Sequence, residues 1–189
     1  YPSSKPTPDE YIIMNPSPAS ADRDAIRREL AASPGGILES TATQHGLPLL
    51  EIVELLPREM WTRVPGDLFV EVMQDLSEWG DVIVITHTRD IILEVEAPVP
   101  PGKLAHGFYN LHGDSPIGGH LRADRCRTIV FLSRPFMGKD SMSVQFFNAE
   151  GESMFKVFVS RDEKRALRPE QIERFERLKA RLAGQAETA

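Results

Sequence analysis

The sequence is poor in the features that mark several large classes of protein. Its 189 residues include a single cysteine, Cys126, so an intramolecular disulfide and any motif built on a cysteine pair are excluded. No run of 18 or more apolar residues occurs, and neither a glycine-rich phosphate loop nor a GxSxG elbow is present. These absences argue against a membrane-spanning helix, nucleotide-dependent chemistry and a serine hydrolase.

Positive charge is also in short supply. The chain has 22 lysines and arginines against 28 acidic residues, a formal net charge of −6. Such a net charge disfavours non-specific binding to nucleic acid or to an anionic membrane. We therefore expect a cytoplasmic protein whose partners are small molecules and other proteins.

The hydrophobic pattern divides the chain into four parts. Residues 1–20 are rich in proline and serine and are predicted to be a flexible lead-in. A helical subdomain is predicted for residues 21–62, an α+β domain for 63–184 and a flexible tail for 185–189. The helical subdomain is predicted to contain three short helices, with Ser20 capping the first, Gly46 closing the second and Pro48 opening the third.

Three short helices joined by glycine turns look like a helix-turn-helix unit, so a DNA-binding regulator is one alternative. Residues 21–60 contain four arginines and no lysine against seven acidic residues, which leaves −3. An acidic unit of this kind is a poor DNA-binding surface, and a structural or docking role is favoured.

Beyond the helical subdomain the period of the pattern changes. A helix is predicted for residues 67–79, strands for 82–87, 91–96, 128–133, 143–147 and 155–160, and a last helix from Pro169 to near Gly184. The predicted fold class is α+β, an antiparallel β-sheet packed with helices and preceded by a small helix-turn-helix-like unit.

Residues 106–120 concentrate potential metal ligands in what we predict to be a glycine-rich loop. They hold three of the five histidines, His106, His112 and His120, together with Tyr109. A zinc site stays open as an alternative but is weakly indicated, because the histidines lack the usual short spacings. An acid–base site is also weakly indicated, since Asp114 is the only acid before Asp124 that could orient a histidine. Haem requires axial ligands, an aromatic slot and a cation for the propionates. The sequence offers candidates for each: ligands His87, Tyr109 and His120; walls Phe108, Phe136, Phe146 and Phe147; cations Arg122, Arg134 and Lys139.

Six motifs give the chain a resemblance to a known family. They are LSEWG at 76–80, EVEAP at 94–98, GFYNL at 107–111, GHL at 119–121, SRPFMG at 133–138 and VSRDEKR at 159–165. In this order they resemble the cytosolic haem utilisation carriers of the HutX/ChuX type, over about residues 25 to 174. The SRPFMG run is unusual enough to be quite specific.

The resemblance implies a bacterial protein that binds haem, keeps it soluble and delivers it to a haem-degrading enzyme. It also implies a homodimer whose two protomers together look like one haem-degrading protein of the related HemS/ChuS type. A haem-degrading enzyme is therefore the alternative function, although a carrier without turnover is favoured.

The resemblance also implies candidate iron ligands. Two histidines 33 residues apart are implicated in part of the family, and His87 and His120 match that spacing. Elsewhere a tyrosine of a GYYNL motif is the ligand, but here Phe108 replaces the first tyrosine. Because adjacent strand residues face opposite sides, Tyr109 cannot simply substitute for Phe108. The predicted site comprises His87 and His120 at the metal, with Phe108, Tyr109, Arg134 and Phe136 around the haem.

Overall fold

The computed structural model describes residues 22–186. The predicted lead-in and the Ser20 cap lie outside this range. The predicted tail at 185–189 overlaps the last helix, α5 (Pro169–Ala186), which continues past Gly184. A glycine costs a helix only about 1 kcal/mol relative to alanine, so Gly184 does not have to end it.

The amino-terminal unit consists of three helices, α1 (Arg23–Ala32), α2 (Leu38–His45) and α3 (Leu49–Leu55). The side chain of Asp22 caps α1 by accepting hydrogen bonds from the backbone of Asp24 and Ala25. Gly46, at a φ of 63°, ends α2 in the left-handed conformation that the sequence predicted for a closing glycine.

The rest of the chain forms an α+β structure with two antiparallel sheets, which confirms the predicted fold class. A six-stranded sheet has the order β1-β7-β8-β9-β2-β3, and a small sheet has the order β4-β5-β6. The elements are β1 (Trp61–Pro65), α4 (Phe69–Leu76), β2 (Asp81–His87), β3 (Ile92–Pro98), β4 (Gly102–Ala105), β5 (Phe108–Leu111), β6 (Gly119–Leu121), β7 (Thr128–Phe136), β8 (Lys139–Phe147) and β9 (Ser153–Phe158).

The six-stranded sheet buries its two faces against different partners. Its core face packs against α4, α5 and the inner side of the small sheet. Its helical face presents Val130, Leu132 and Phe147 to α1, α2 and α3. Successive residues of a strand point to opposite faces, so a residue's position along its strand determines which of the two layers its side chain contacts.

The prediction of a loop over residues 106–120 was wrong in part. β5 and β6 lie within it and pair with each other, with Asn110 opposite His120. The strands are only four and three residues long, too short for a period of two to stand out in the sequence. β1 and β4 were missed for the same reason.

Candidate functional site

The small sheet separates the residues of the histidine-rich segment by strand parity. Phe108, Asn110 and His120 lie on its outer side, whereas Tyr109 and Leu111 face the core. Phe108 is 36% exposed and Tyr109 is fully buried, as the alternation predicted from the sequence requires. The outer side therefore carries a histidine, an amide and an aromatic ring next to one another.

A hydrogen bond orients the imidazole of His120. Its Nδ1 lies 2.6 Å from Oδ1 of Asn110 on the neighbouring strand. Histidines that bind metals generally hold their other ring nitrogen in this way, which fixes the ring and makes the free nitrogen more basic. The arrangement leaves Nε2 of His120 as the nitrogen available to a metal.

An aromatic ring and a cation lie beside His120. The rings of Phe108 and His120 meet edge to face with centroids 6.0 Å apart. The guanidinium of Arg122 lies 5.6 Å from the centre of the Phe108 ring and makes hydrogen bonds of 2.8 and 2.7 Å to the carboxylate of Asp124. These hydrogen bonds lower the pKa of Asp124, so the carboxylate stays charged.

Phe108 and Arg122 also line an open concavity of about 720 Å³. Its remaining walls come from the end of β4, from the turn between β4 and β5, which contains His106, and from Ala123 and Asp124. This volume falls within the range of about 300 to 1,000 Å³ that is usual for small-molecule sites. The concavity combines an apolar wall, a cation and an adjacent oriented imidazole.

A second cavity lies between the two sheets, and we call it the inter-sheet cleft. It has a volume of about 280 Å³ and is lined almost wholly by apolar side chains, including Val84, Leu93, Leu111 and Leu121. Its lining contains no titratable side chain. The inter-sheet cleft therefore offers no cation for a propionate and no histidine, tyrosine or cysteine ligand for iron; Met73 is the one side chain in its lining that could bind iron.

Tyr109 is a core residue in this structure. Its ring meets Phe69 edge to face at 5.7 Å, and a Cβ added to Gly102 would lie 2.3 Å from Cε1 of Tyr109. Among the described residues its hydroxyl makes no well-formed hydrogen bond, and burial raises the pKa of the phenol. The tyrosine is thus packed away from the outer side that carries His120.

His87 lies on the helical face of the six-stranded sheet, as its parity with Ile83 and Ile85 predicts. Its Nδ1 is 3.2 Å from Oε1 of Glu39 on α2, and the same oxygen pairs with the ammonium of Lys156. Burial raises the pKa of Glu39, but Lys156 and His87 outweigh that effect and hold it below its ordinary value. His87 belongs to a polar cluster that ties α2 to the sheet.

The two histidines of the predicted axial pair lie on opposite sides of the protomer. The small sheet covers the core face of the six-stranded sheet, and His120 points outward from it. His87 is on the other face, next to α2. The structure therefore does not bring these two side chains together within one protomer.

Arg134 and Phe136 lie at the tip of the hairpin formed by β7 and β8, on the helical face. Nη1 of Arg134 donates to the carbonyl oxygens of Pro34 at 2.6 Å and Gly36 at 2.9 Å, and the guanidinium lies 5.3 Å from the ring centre of Phe136. Arg134 thus holds the loop between α1 and α2. Arg122, rather than Arg134, is the arginine next to His120 and Phe108.

Sequence reasoning missed Asn110 and Glu39, although both contact predicted ligands. The GFYNL motif contains Asn110, but nothing local indicates that its side chain meets His120. Glu39 is 48 residues from His87 in the chain, so only the packing of α2 brings the two together. Within residues 22–186, no three side chains of the histidine, cysteine, aspartate and glutamate types converge as a metal-binding group. No helix in this range is long and apolar enough to cross a membrane.

Comparison with known proteins supplies the family. The intracellular heme transport protein HutX of Vibrio cholerae serotype O1 is 40% identical over 151 residues, 79% of this chain and 78% of that protein. The heme-binding protein ChuX superposes with a TM-score of 0.77 at 41% identity, covering 83% of this chain and 98% of that one. Holo-PhuS, a heme-binding protein from Pseudomonas aeruginosa, shares the fold with a TM-score of 0.66 at 19% identity, and the match covers 85% of this chain and 46% of PhuS.

The family model described as haem utilisation ChuX/HutX matches residues 62–178, which include both sheets and most of the last helix. With the 40% identity to HutX over most of both chains, this match shows that the chain belongs to the haem utilisation ChuX/HutX family.

Proposed function

We propose that this protein binds haem reversibly inside the cell and passes it on without chemical turnover. The observation that carries the proposal is the imidazole of His120, exposed on the small sheet and held at Nδ1 by Asn110. The similarity to a protein named for intracellular heme transport, and to one named for heme binding, supports the same ligand.

Each group around His120 has a chemical role in this proposal. Nε2 of His120 donates its lone pair to the iron, and Phe108 packs against the porphyrin edge. Arg122 binds a propionate, since a guanidinium matches a carboxylate with two parallel hydrogen bonds. Asp124 holds Arg122 in position when haem is absent and is displaced by the propionate.

The openness of the concavity suits a carrier. One axial bond on an exposed surface leaves the haem accessible to a recipient, whereas a closed pocket would slow its release. We propose a haem-degrading protein as that recipient and a homodimer as the assembled state. If two histidines bind the iron, the His87 side chain has to come from a second protomer.

Alanine substitutions test the ligand. We expect His120→Ala to alter the Soret and charge-transfer bands of the ferric complex and to weaken binding by about tenfold or more. His112→Ala is the matched control, since His112 is an exposed histidine of the same segment that makes no side-chain hydrogen bond to Asn110, and it should bind as the wild type does. A wild-type spectrum for His120→Ala would refute the assignment.

A turnover assay separates the carrier from the alternative enzyme. The haem complex is incubated with a reductant and oxygen, and the Soret band and released iron are followed over time. A carrier retains the band after reoxidation. Loss of the band with stoichiometric iron release would instead establish haem degradation.

A further inference from the structure

We infer that Asn110 is a positioning residue that decides which ring nitrogen of His120 faces the iron. The inference rests on the proposed function, because it concerns the same imidazole. It concerns a property of the haem-free protein as well, namely the position of one proton. That property is measurable whether or not haem binds.

The amide of Asn110 is fixed by the backbone around it. Its Nδ2 lies 3.3 Å from the carbonyl oxygen of Lys103, 3.0 Å from that of Ala105 and 3.0 Å from that of Phe108. Turning the amide over would place Oδ1 against these three acceptors, with no hydrogen between them. The orientation of an asparagine amide is assigned from such a network, and here the network permits one orientation.

A fixed amide in turn fixes the tautomer of His120. Oδ1 of Asn110 is an acceptor only, so the nitrogen 2.6 Å away must carry a hydrogen. In the neutral ring the proton is therefore on Nδ1, and Nε2 holds the lone pair. Strands β4 and β5 supply the carbonyl groups, so the small sheet determines the tautomer of the neutral imidazole on β6.

This tautomer is the one that iron requires. An imidazole with its proton on Nε2 must lose or move that proton before Nε2 bonds to a metal. Holding the proton on Nδ1 removes that step, and the hydrogen bond to Asn110 makes Nε2 a stronger donor toward ferric iron. Asn110 never touches the haem in this scheme and acts entirely through His120.

Nitrogen-15 NMR of the haem-free protein tests the tautomer, at a pH where His120 is neutral. We expect a protonated Nδ1 and a bare Nε2 for His120 in the wild type. Asn110→Leu keeps the approximate shape of the side chain but has no acceptor, so both tautomers should become populated. Asn148→Leu is the matched control, because Asn148 also makes several local hydrogen bonds but lies in the turn between β8 and β9. It should leave the His120 signals unchanged.

Haem titrations of the same proteins test the consequence. We expect Asn110→Leu to bind haem about tenfold more weakly and to lower the iron–histidine stretching frequency of the ferrous complex, while Asn148→Leu matches the wild type. A wild-type His120 protonated on Nε2 would overturn the inference, as would unchanged haem binding by Asn110→Leu. If His120→Ala leaves the haem spectrum unaltered while the wild type shows the expected tautomer, His120 is not the iron ligand and Asn110 does not position one. The hydrogen-bond network around Asn110 would still be established in that case.

Discussion

Glu39→Gln should destabilise the protein far more than an ordinary surface ion-pair variant. The Lys156 side chain is only 8% exposed, and Glu39 supplies its counter-charge from α2. The substitution keeps the size of the side chain but leaves the ammonium buried without a negative partner. The Glu39 carboxylate also lies near His87 and attracts the half-buried guanidinium of Arg134, so its charge balances more than one cation.

The expected magnitude follows from the burial of the pair. Removing one partner of a fully buried ion pair costs about 3–5 kcal/mol. The Glu39 side chain is 24% exposed, so solvent screens part of this cost, and we expect about 2 kcal/mol. For a chain of this size that corresponds to a fall of about 4–8 °C in the melting temperature.

Thermal and urea unfolding followed by circular dichroism would measure the loss. Glu54→Gln is the matched control, because Glu54 pairs with Arg63 at 2.8 Å with both side chains more exposed, and it should cost below about 1 kcal/mol. The double variant Glu39→Gln, Lys156→Met removes the unpaired charge and should recover most of the lost stability. An unfolding free energy for Glu39→Gln no lower than that of Glu54→Gln, or a double variant less stable than the single one, would refute a buried, charge-dependent pair.

Three further predictions concern the charge of Glu39 and the core around Tyr109. Lys156 and His87 hold the pKa of Glu39 below its ordinary 4.5, so the stability that the Glu39–Lys156 pair contributes is complete above that pH and is lost as pH falls through the lowered pKa. The difference in unfolding free energy between the wild type and Glu39→Gln should therefore shrink below about pH 4.5. A constant difference down to about pH 3 would contradict this sign. Tyr109→Phe deletes a buried hydroxyl that lacks a well-formed hydrogen bond, so the free energy of unfolding should change by no more than about 1 kcal/mol. The haem spectrum should stay that of the wild type. A shifted Soret band would mean that the phenol reaches the iron. Gly102→Ala drives a methyl group to within 2.3 Å of the Tyr109 ring and should cost about 1–3 kcal/mol in the same unfolding assay. Gly118→Ala is the control, because an added Cβ there meets nothing within 4 Å, and it should cost well under about 1 kcal/mol. Equal effects would show that the Tyr109 ring moves aside freely.

The secondary structure was predictable wherever local chemistry specifies it. Gly46 ends α2 because a left-handed residue is needed there, and Pro48 precedes α3 because its fixed φ favours a helix start. The long strands β7, β8 and β9 have enough residues to show their pattern, although β7 and β8 extend beyond the predicted bounds and β9 lies two residues earlier than predicted. The short strands of the small sheet do not, and they were predicted as a loop.

The candidate site was predictable only one residue at a time. Strand parity correctly separated Phe108 from Tyr109, and the motif pattern singled out His120. The same reasoning grouped His87 with His120 because each occurs in a recognisable context at a matching spacing. Spacing along the chain carries no information about which side of a two-sheet structure a residue faces.

By itself the sequence determined the α+β class, the end of α2, the start of α3 and the family, because turns, proline positions, periodicity and motifs depend on neighbouring residues. Only the tertiary structure decided what each candidate side chain does. It buries Tyr109 under Phe69, commits Arg134 to a loop about 100 residues away and joins His120 to Asn110 across two strands. These outcomes depend on which strands pair and which face each layer covers, and those choices are made by the whole chain when it buries its apolar surface.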